Sequence, residues 1–423
     1  MIVSQSKKIT FIALFIFLIT SGIYWIPGIP ISQDLFRIIR IIAISVLFFS
    51  IVLQINYKKI KKSILVYCVF AWGLIIFCNI VFRTNVANID RYIYFIFQLL
   101  SSVLLAYFFG QNQNNLKKFV TQQNIKILIF LILLVWGLIY GGIHLNYFST
   151  LLSDGFSDNL SNYSIWLSNI GVFALLAFYF AKPKSRLQKI MLFFLLVGLF
   201  ILIFNSGGRL GALLLSLAGL YIMSKIYHSF FAATISIITV ISASFLFTHN
   251  FKFLNHESSA GRDITRHITV LNNTNFPNIV AIDTNLYEYL DTLSSHRLSI
   301  IKNSINKMDL DTAIYGKGIE NFFVTDSLGI NTYQIHDLFL NTLFEQGLFV
   351  FLLLLLITLF PLFINIKSEE AKICKFVCII WTFAAALQPQ LLITQVHLSV
   401  VYWLAYGFLA LKKNNSGYFK HFI

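Results

Sequence analysis

The chain has 423 residues, of which 57% are hydrophobic and 12% charged, with a formal net charge of +15 and a mean hydropathy of +0.77. That balance excludes a soluble domain and places the chain in the polytopic membrane class. Its lysines and arginines are spread along segment ends rather than gathered on one folded face, so the positive charge is not a nucleic-acid footprint.

A membrane-crossing helix needs roughly 20 apolar residues. In chain order the apolar runs fall at about 9–27, 37–56, 64–82, 91–110, 126–143, 162–181, 190–205, 210–224, 229–249, 338–364, 376–393 and 397–411. The sequence therefore predicts an all-α polytopic membrane protein with about 12 transmembrane helices. The first run follows Lys7-Lys8 without a small-residue cleavage site and reads as an uncleaved span. The runs at 190–205 and 210–224 are short, and the last two divide around Gln388-Pro389-Gln390.

Charge orients these spans. With the N-terminus in the cytoplasm, the inner segments hold 20 of the 32 basic residues and only Glu369 and Glu370 of the 17 acidic ones. The inner side then carries +18 and the remainder −3, which fits an even number of spans with both termini cytoplasmic. The domain reading is nine transmembrane helices over 1–249, one large outer loop over 250–337, and three further helices with a short cytoplasmic tail over 338–423. Shorter outer segments fall at 28–36, 83–90, 144–161, 206–209 and 388–396.

Cys68, Cys78, Cys374 and Cys378 all lie in or beside predicted spans, so no disulfide framework is expected. Cys374 and Cys378 are one helical turn apart but lack His or carboxylate neighbours, and they read as buried thiols rather than metal ligands. No metal and no cofactor is expected. Within the large loop, Leu290 to Met308 has the spacing of an amphipathic helix, with Leu293, Leu298, Ile301 and Ile305 at helical intervals. Tyr315-Gly316-Lys317-Gly318 reads as a turn, because two glycines bracket one residue.

Three places carry candidate chemistry. Asn205-Ser206-Gly207-Gly208-Arg209 breaks two apolar runs at the outer face and leaves Arg209 at the top of a helix with no other charge until its far end. An arginine there either snorkels to headgroups or meets a partner or a wet cavity. Arg297 lies among apolar residues of the loop helix and is either a solvated or structural arginine or part of a site; Arg262 and Arg266 are further candidates of the same kind, Arg262 as a candidate cavity-lining residue. His336-Asp337 opens the third place, where Asp337, Asn341 and Glu345 recur at i, i+4 and i+8 as one polar stripe on an apolar helix predicted to run to Ile364. Such a stripe is expected to line a cavity. The helix N-terminus disfavours a protonated imidazole, keeping His336 able to accept a proton. Two arginines and a neutral histidine at one face suit pyrophosphate binding with deprotonation of an incoming hydroxyl. No Gly-x-x-x-x-Gly-Lys and no Gly-x-Ser-x-Gly is present, which excludes the corresponding ATPase and serine-hydrolase readings.

The same places make the chain resemble the O-antigen ligase and O-antigen polymerase superfamily of bacterial envelope enzymes. The matching pieces are Ser206 to Leu214, His296-Arg297-Leu298 followed by Tyr315 to Gly318, and His336 to Gly347, which looks like the family's His-polar signature ending in Glu-x-Gly. The resemblance implies metal-independent, inverting glycosyl transfer at the periplasmic face of the bacterial inner membrane. The donor would be a glycan on undecaprenyl pyrophosphate. His336 would be the general base, and Arg209 and Arg297 would bind the pyrophosphate. One departure is Asp337, where a neutral polar residue is usual; an adjacent carboxylate raises the histidine's proton affinity. The 144–161 segment is short and has no Arg or Lys, which favours a ligase using a lipid A–core acceptor over a polymerase using a second lipid-linked glycan. A polysaccharide transporter is the alternative of a different class; it would place its site near the midplane and often carry internal repeats. The implied partners are the lipid-linked donor, the lipid A–core acceptor, membrane lipids and other O-antigen assembly proteins.

Overall fold

The computed structural model describes residues 64–82, 89–144, 157–182, 185–206, 209–250, 297–318, 324–325, 331–332, 335, 337–364, 366, 368–388, 392 and 398–411, with single positions between 42 and 53. Among these residues the protein is helical apart from one pair of two-residue strands. The helices are α1 (Ile64–Phe82), α2 (Ile89–His144), α3 (Ser157–Ala181), α4 (Arg186–Asn205), α5 (Arg209–Tyr227) and α6 (Phe230–Asn250). From the large loop come α7 (Arg297–Asn306), α8 (Leu310–Tyr315), β1 (Val324–Thr325) and β2 (Asn331–Thr332). The strands pair antiparallel, Val324 opposite Thr332. Then follow α9 (Leu338–Gln346), α10 (Leu348–Phe363), α11 (Glu369–Ala385) and α12 (Val400–Leu411).

Four helical segments are long and apolar enough to cross a membrane: Phe95–Tyr140, Asn162–Ala181, Arg186–Phe204 and Leu210–Tyr227. The window in α3 is 78% buried against 28% for that in α2, so α3 runs through the centre of the bundle. Around it pack α2, α4, α5 and α12, and the largest buried side chains include Trp72, Trp166, Trp381, Trp403, Tyr402 and Tyr406. Large apolar side chains such as Phe70, Leu133, Phe231 and Phe363 are exposed on the outside of the bundle. In water that surface would be costly; against lipid tails it is the expected exterior.

The structure redraws several sequence-based boundaries. The runs at 91–110 and 126–143 belong to one helical element, α2, whose two stretches meet at a kink at Asn112, with φ −107 and ψ 15. The lysine-bearing connection between them is therefore helix rather than loop, and the exposed side chains at Asn114, Asn115 and Lys118 mark its polar side. The short run at 210–224 extends at both ends into the 19-residue α5. The expected helix from Leu338 to Ile364 is broken at Gly347, where φ is 84, giving α9 and α10.

The tip expected around 388–396 is not a surface turn where it is described. Gln388 and Leu392 are buried, and Gln388 Nε2 donates to Asn162 Oδ1 at 3.2 Å. Ser399 Oγ accepts from Leu392 N at 2.7 Å, while Asn169 Nδ2 donates to Leu398 O at 2.7 Å. Non-helical backbone is tolerated inside a membrane protein when buried side chains supply its missing hydrogen bonds. Asn169 and Ser399 do so at Leu398 and Leu392, while Asn162 holds the Gln388 side chain.

Candidate functional site

The best-defined part of the predicted site is a junction between the large loop and α9–α10. It begins at Asp309, the N-cap of α8. Its carboxylate accepts from Thr312 N at 2.7 Å and from the Thr312 hydroxyl, and Lys317 Nζ lies 3.3 Å from its other oxygen. The Thr312 bonds, with Lys317 adding to them, hold the Asp309 carboxyl down at about 2. At the other end of α8, Gly316 and Gly318 take φ values of 75 and 101, which turn the chain back toward the bundle. These are conformations that glycine adopts without steric cost.

That turn caps a second helix in trans. Lys317 N donates to Phe344 O and Gly318 N to Glu345 O, both at 2.8 Å. The final carbonyls of α9 lack intrahelical partners, and the loop supplies them. A Cβ on Gly316 would collide with the Glu345 carbonyl oxygen, and one on Gly347 with the Ile314 carbonyl oxygen. The Tyr-Gly-Lys-Gly and Glu-x-Gly segments are therefore two faces of one backbone contact. The residue between them is also tied down: Trp72 Nε1 of α1 donates to Gln346 Oε1 at 2.7 Å within the protein. A buried bond of this kind contributes about 0.5–1.5 kcal/mol net, and leaving either partner unpaired costs more.

The start of α9 is equally specified. Asp337 is its N-cap, accepting from Phe339 N at 2.7 Å and Leu340 N at 2.9 Å. Burial pushes its carboxyl above the usual value, and the two N–H groups act in the opposite direction. The carboxyl at this position thus has a structural use, because it is aimed at the helix end, where an anion is favoured. Asn341 and Glu345 are buried, and Asn341 Oδ1 accepts from Ile335 N at 3.4 Å. The predicted polar stripe therefore faces protein.

A small apolar cluster joins the loop helix to this junction. Ile300 of α7, Ile335 and Phe344 of α9 are buried together, with Ile301, Met308 and Leu340 packed around them. Arg297 is the first residue of α7, less than one turn before Ile300, and Ile335 immediately precedes His336. Two of the three predicted places are thus drawn together by apolar packing. Arg209 is the first residue of α5, directly beyond the break that follows buried Ser206. Two residues on, Gly211 sits so close to the backbone of Ser164 that a side chain there would collide with it, which seats the start of α5 against α3. The side chains of Arg209 and Arg297 lie outside the described residues, as do His336, Arg262, Arg266, Gly207 and Gly208 entirely.

Among the described residues no group of three His, Cys, Asp or Glu could hold a metal ion. Sequence reasoning did not anticipate Trp72, Gln346 or the close approach at Gly211. The available signals were a polar residue beside an expected glutamate and a third glycine after a glycine pair. No family model matches the chain, and no curated protein or solved structure matches it.

Proposed function

We propose that the protein is a polytopic enzyme of the bacterial inner membrane that transfers a glycan from undecaprenyl pyrophosphate to a hydroxyl at the periplasmic face. It has about 12 spans and both termini in the cytoplasm. The observation that carries the reading is the Ile300–Ile335–Phe344 cluster, which seats the helix begun by Arg297 against the residue beside His336. In this mechanism His336 takes the proton of the acceptor hydroxyl as its oxygen attacks the anomeric carbon. The bond to the pyrophosphate breaks with inversion. Arg209 and Arg297 neutralise the charge that accumulates on the leaving pyrophosphate, where paired N–H donors are strongest. Asp337 fixes the helix start.

The acceptor favoured is a lipid A–core sugar, making the enzyme an O-antigen ligase. A polymerase using a second lipid-linked glycan has the same chemistry at the donor. The short 144–161 segment without Arg or Lys supports the ligase. The test is the lipopolysaccharide banding pattern of a strain lacking the gene, complemented by the native chain or by His336→Ala. Bare lipid A–core, with polymer left on the lipid carrier, is the ligase outcome. Core carrying a single repeat unit is the polymerase outcome and contradicts the ligase assignment.

A further inference from the structure

At the far end of α10, away from the junction, lies a groove of about 500 Å³ between the end of α10, the start of α11 and Tyr221 of α5. Its walls include Tyr221, Phe363, Phe376 and Ile379, and its only charged side chains among the described residues are Lys372 and Lys375. Tyr221 and Phe376 stack with ring centroids 4.2 Å apart, forming one firm side.

The charge around this groove is unbalanced. Glu369 pairs with both Lys225, at 2.8 Å, and Lys372, at 2.6 Å, so one carboxylate answers two ammonium groups. Lys375 Nζ donates to the carbonyls of Leu362 at 2.7 Å and Ile364 at 3.3 Å and meets no carboxylate among the described residues. An ammonium has three donors, so Lys375 keeps at least one for a further acceptor. Beside these lysines the surface turns apolar and exposed, with Phe363 at 67% and Ile379 at 37% accessibility. The groove lies where one helix ends and the next begins, which in a membrane-spanning chain is the headgroup level. Basic pockets between helices at that level recognise anionic headgroups.

We propose that this groove binds an anionic glycerophospholipid, with Lys372 and Lys375 on its phosphate and Phe363, Phe376 and Ile379 against the start of its acyl chains. Both halves of the site are required. The lysines select the anion, and the aromatic and aliphatic wall selects a lipid over a soluble phosphate.

The test uses the purified full chain in detergent and native mass spectrometry of bound phosphatidylglycerol and phosphatidylethanolamine. The native protein should retain phosphatidylglycerol in preference. Each lysine near an anionic surface is worth roughly fivefold in affinity, so Lys372→Gln with Lys375→Gln should weaken phosphatidylglycerol about 25-fold and leave phosphatidylethanolamine unchanged. Ile379→Trp, which fills the groove and keeps both lysines, should also release the lipid. Equal retention of the two lipids by the native chain overturns the proposal, as does retention by either variant. Displacement of the lipid by millimolar glycerol phosphate marks a soluble-phosphate site and overturns it too. Should the double variant fail to fold, Lys372→Gln alone decides, since its side chain is 46% exposed. A loss of about fivefold supports the site; no loss overturns it.

Discussion

The two ends of α10 are held by opposite means. At Gly347 the loop and helix meet through backbone hydrogen bonds and two glycines that admit no side chain. Sixteen residues later, roughly 24 Å along the axis at ~1.5 Å per residue, the chain is held by long side chains. Lys375 of α11 donates to the Leu362 and Ile364 carbonyls at 2.7 and 3.3 Å, and at the start of α11 Lys117 of α2 pairs with Glu370 at 2.5 Å and Lys225 of α5 with Glu369 at 2.8 Å. Backbone contacts fix position to a few tenths of an ångström. Exposed ion pairs on flexible stems tolerate movement and contribute little energy. The difference is one of precision: the junction with the large loop is set by backbone, and the lysine-rich end by side chains.

That contrast is broken most severely at the glycines. Gly347→Val puts a β-branched side chain at φ 84 and into the Ile314 carbonyl. The backbone conformation alone costs about 1–3 kcal/mol, and the collision adds to it. Glycan transfer should vanish, and the Leu310–Gly318 segment should be cut faster by protease. Native-like protection of that segment would show that the interlock does not hold the loop.

The arginines come next. Arg209→Lys and Arg297→Lys keep charge but lose the planar fork. Losing a charge-assisted bond of about 1.5–3 kcal/mol in the transition state lowers transfer at least about tenfold for each, read from initial rates with purified donor. Native turnover in the doubly substituted protein removes the pyrophosphate role.

Acid sharpens the comparison with a smaller effect. The Asp309 carboxyl is held at about 2 by its Thr312 bonds, below its unfolded value near ~4. Its contribution is present above about pH 4 and is lost as the pH falls toward 2. The protection of the Thr312 amide, its exchange taken relative to the intrinsic rate at each pH, should therefore fall over that window in the native chain. In Asp309→Asn that protection should stay flat with pH, and an unchanged acid response there would assign the effect to another group.

The smallest change is expected at the lysine-rich end. Glu369→Gln removes the partner of Lys225 and Lys372. Both pairs are partly exposed, so transfer should continue near the native rate and the melting temperature should barely move. A collapse of activity would mean that the two ends are coupled.

Much of the helix pattern was legible because apolar runs declare themselves: the run at 64–82 is α1, and 162–181 lies within α3. The break at Gly347 was not legible. A lone glycine in an apolar run costs a helix only about 1 kcal/mol. What ends α9 is a pair of N–H groups from Lys317 and Gly318, about thirty residues earlier. The buried connection after Ala385 was hidden for the same reason, since Gln388 and Pro389 look like a surface turn until Asn162 and Asn169 are brought to meet it. At the candidate site, spacing gave the stripe of Asp337, Asn341 and Glu345. Their tasks depended on which backbone groups the fold aimed at them, and Asp337 is a helix cap for that reason.

The most direct test of the account is transfer by purified His336→Ala with an undecaprenyl-pyrophosphate-linked glycan, measured beside donor binding by the same protein. The account predicts that transfer is abolished while the donor still binds, because the arginines and the glycine interlock are untouched. Transfer at the native rate would contradict it, and the junction would then be a structural hinge rather than the seat of the reaction.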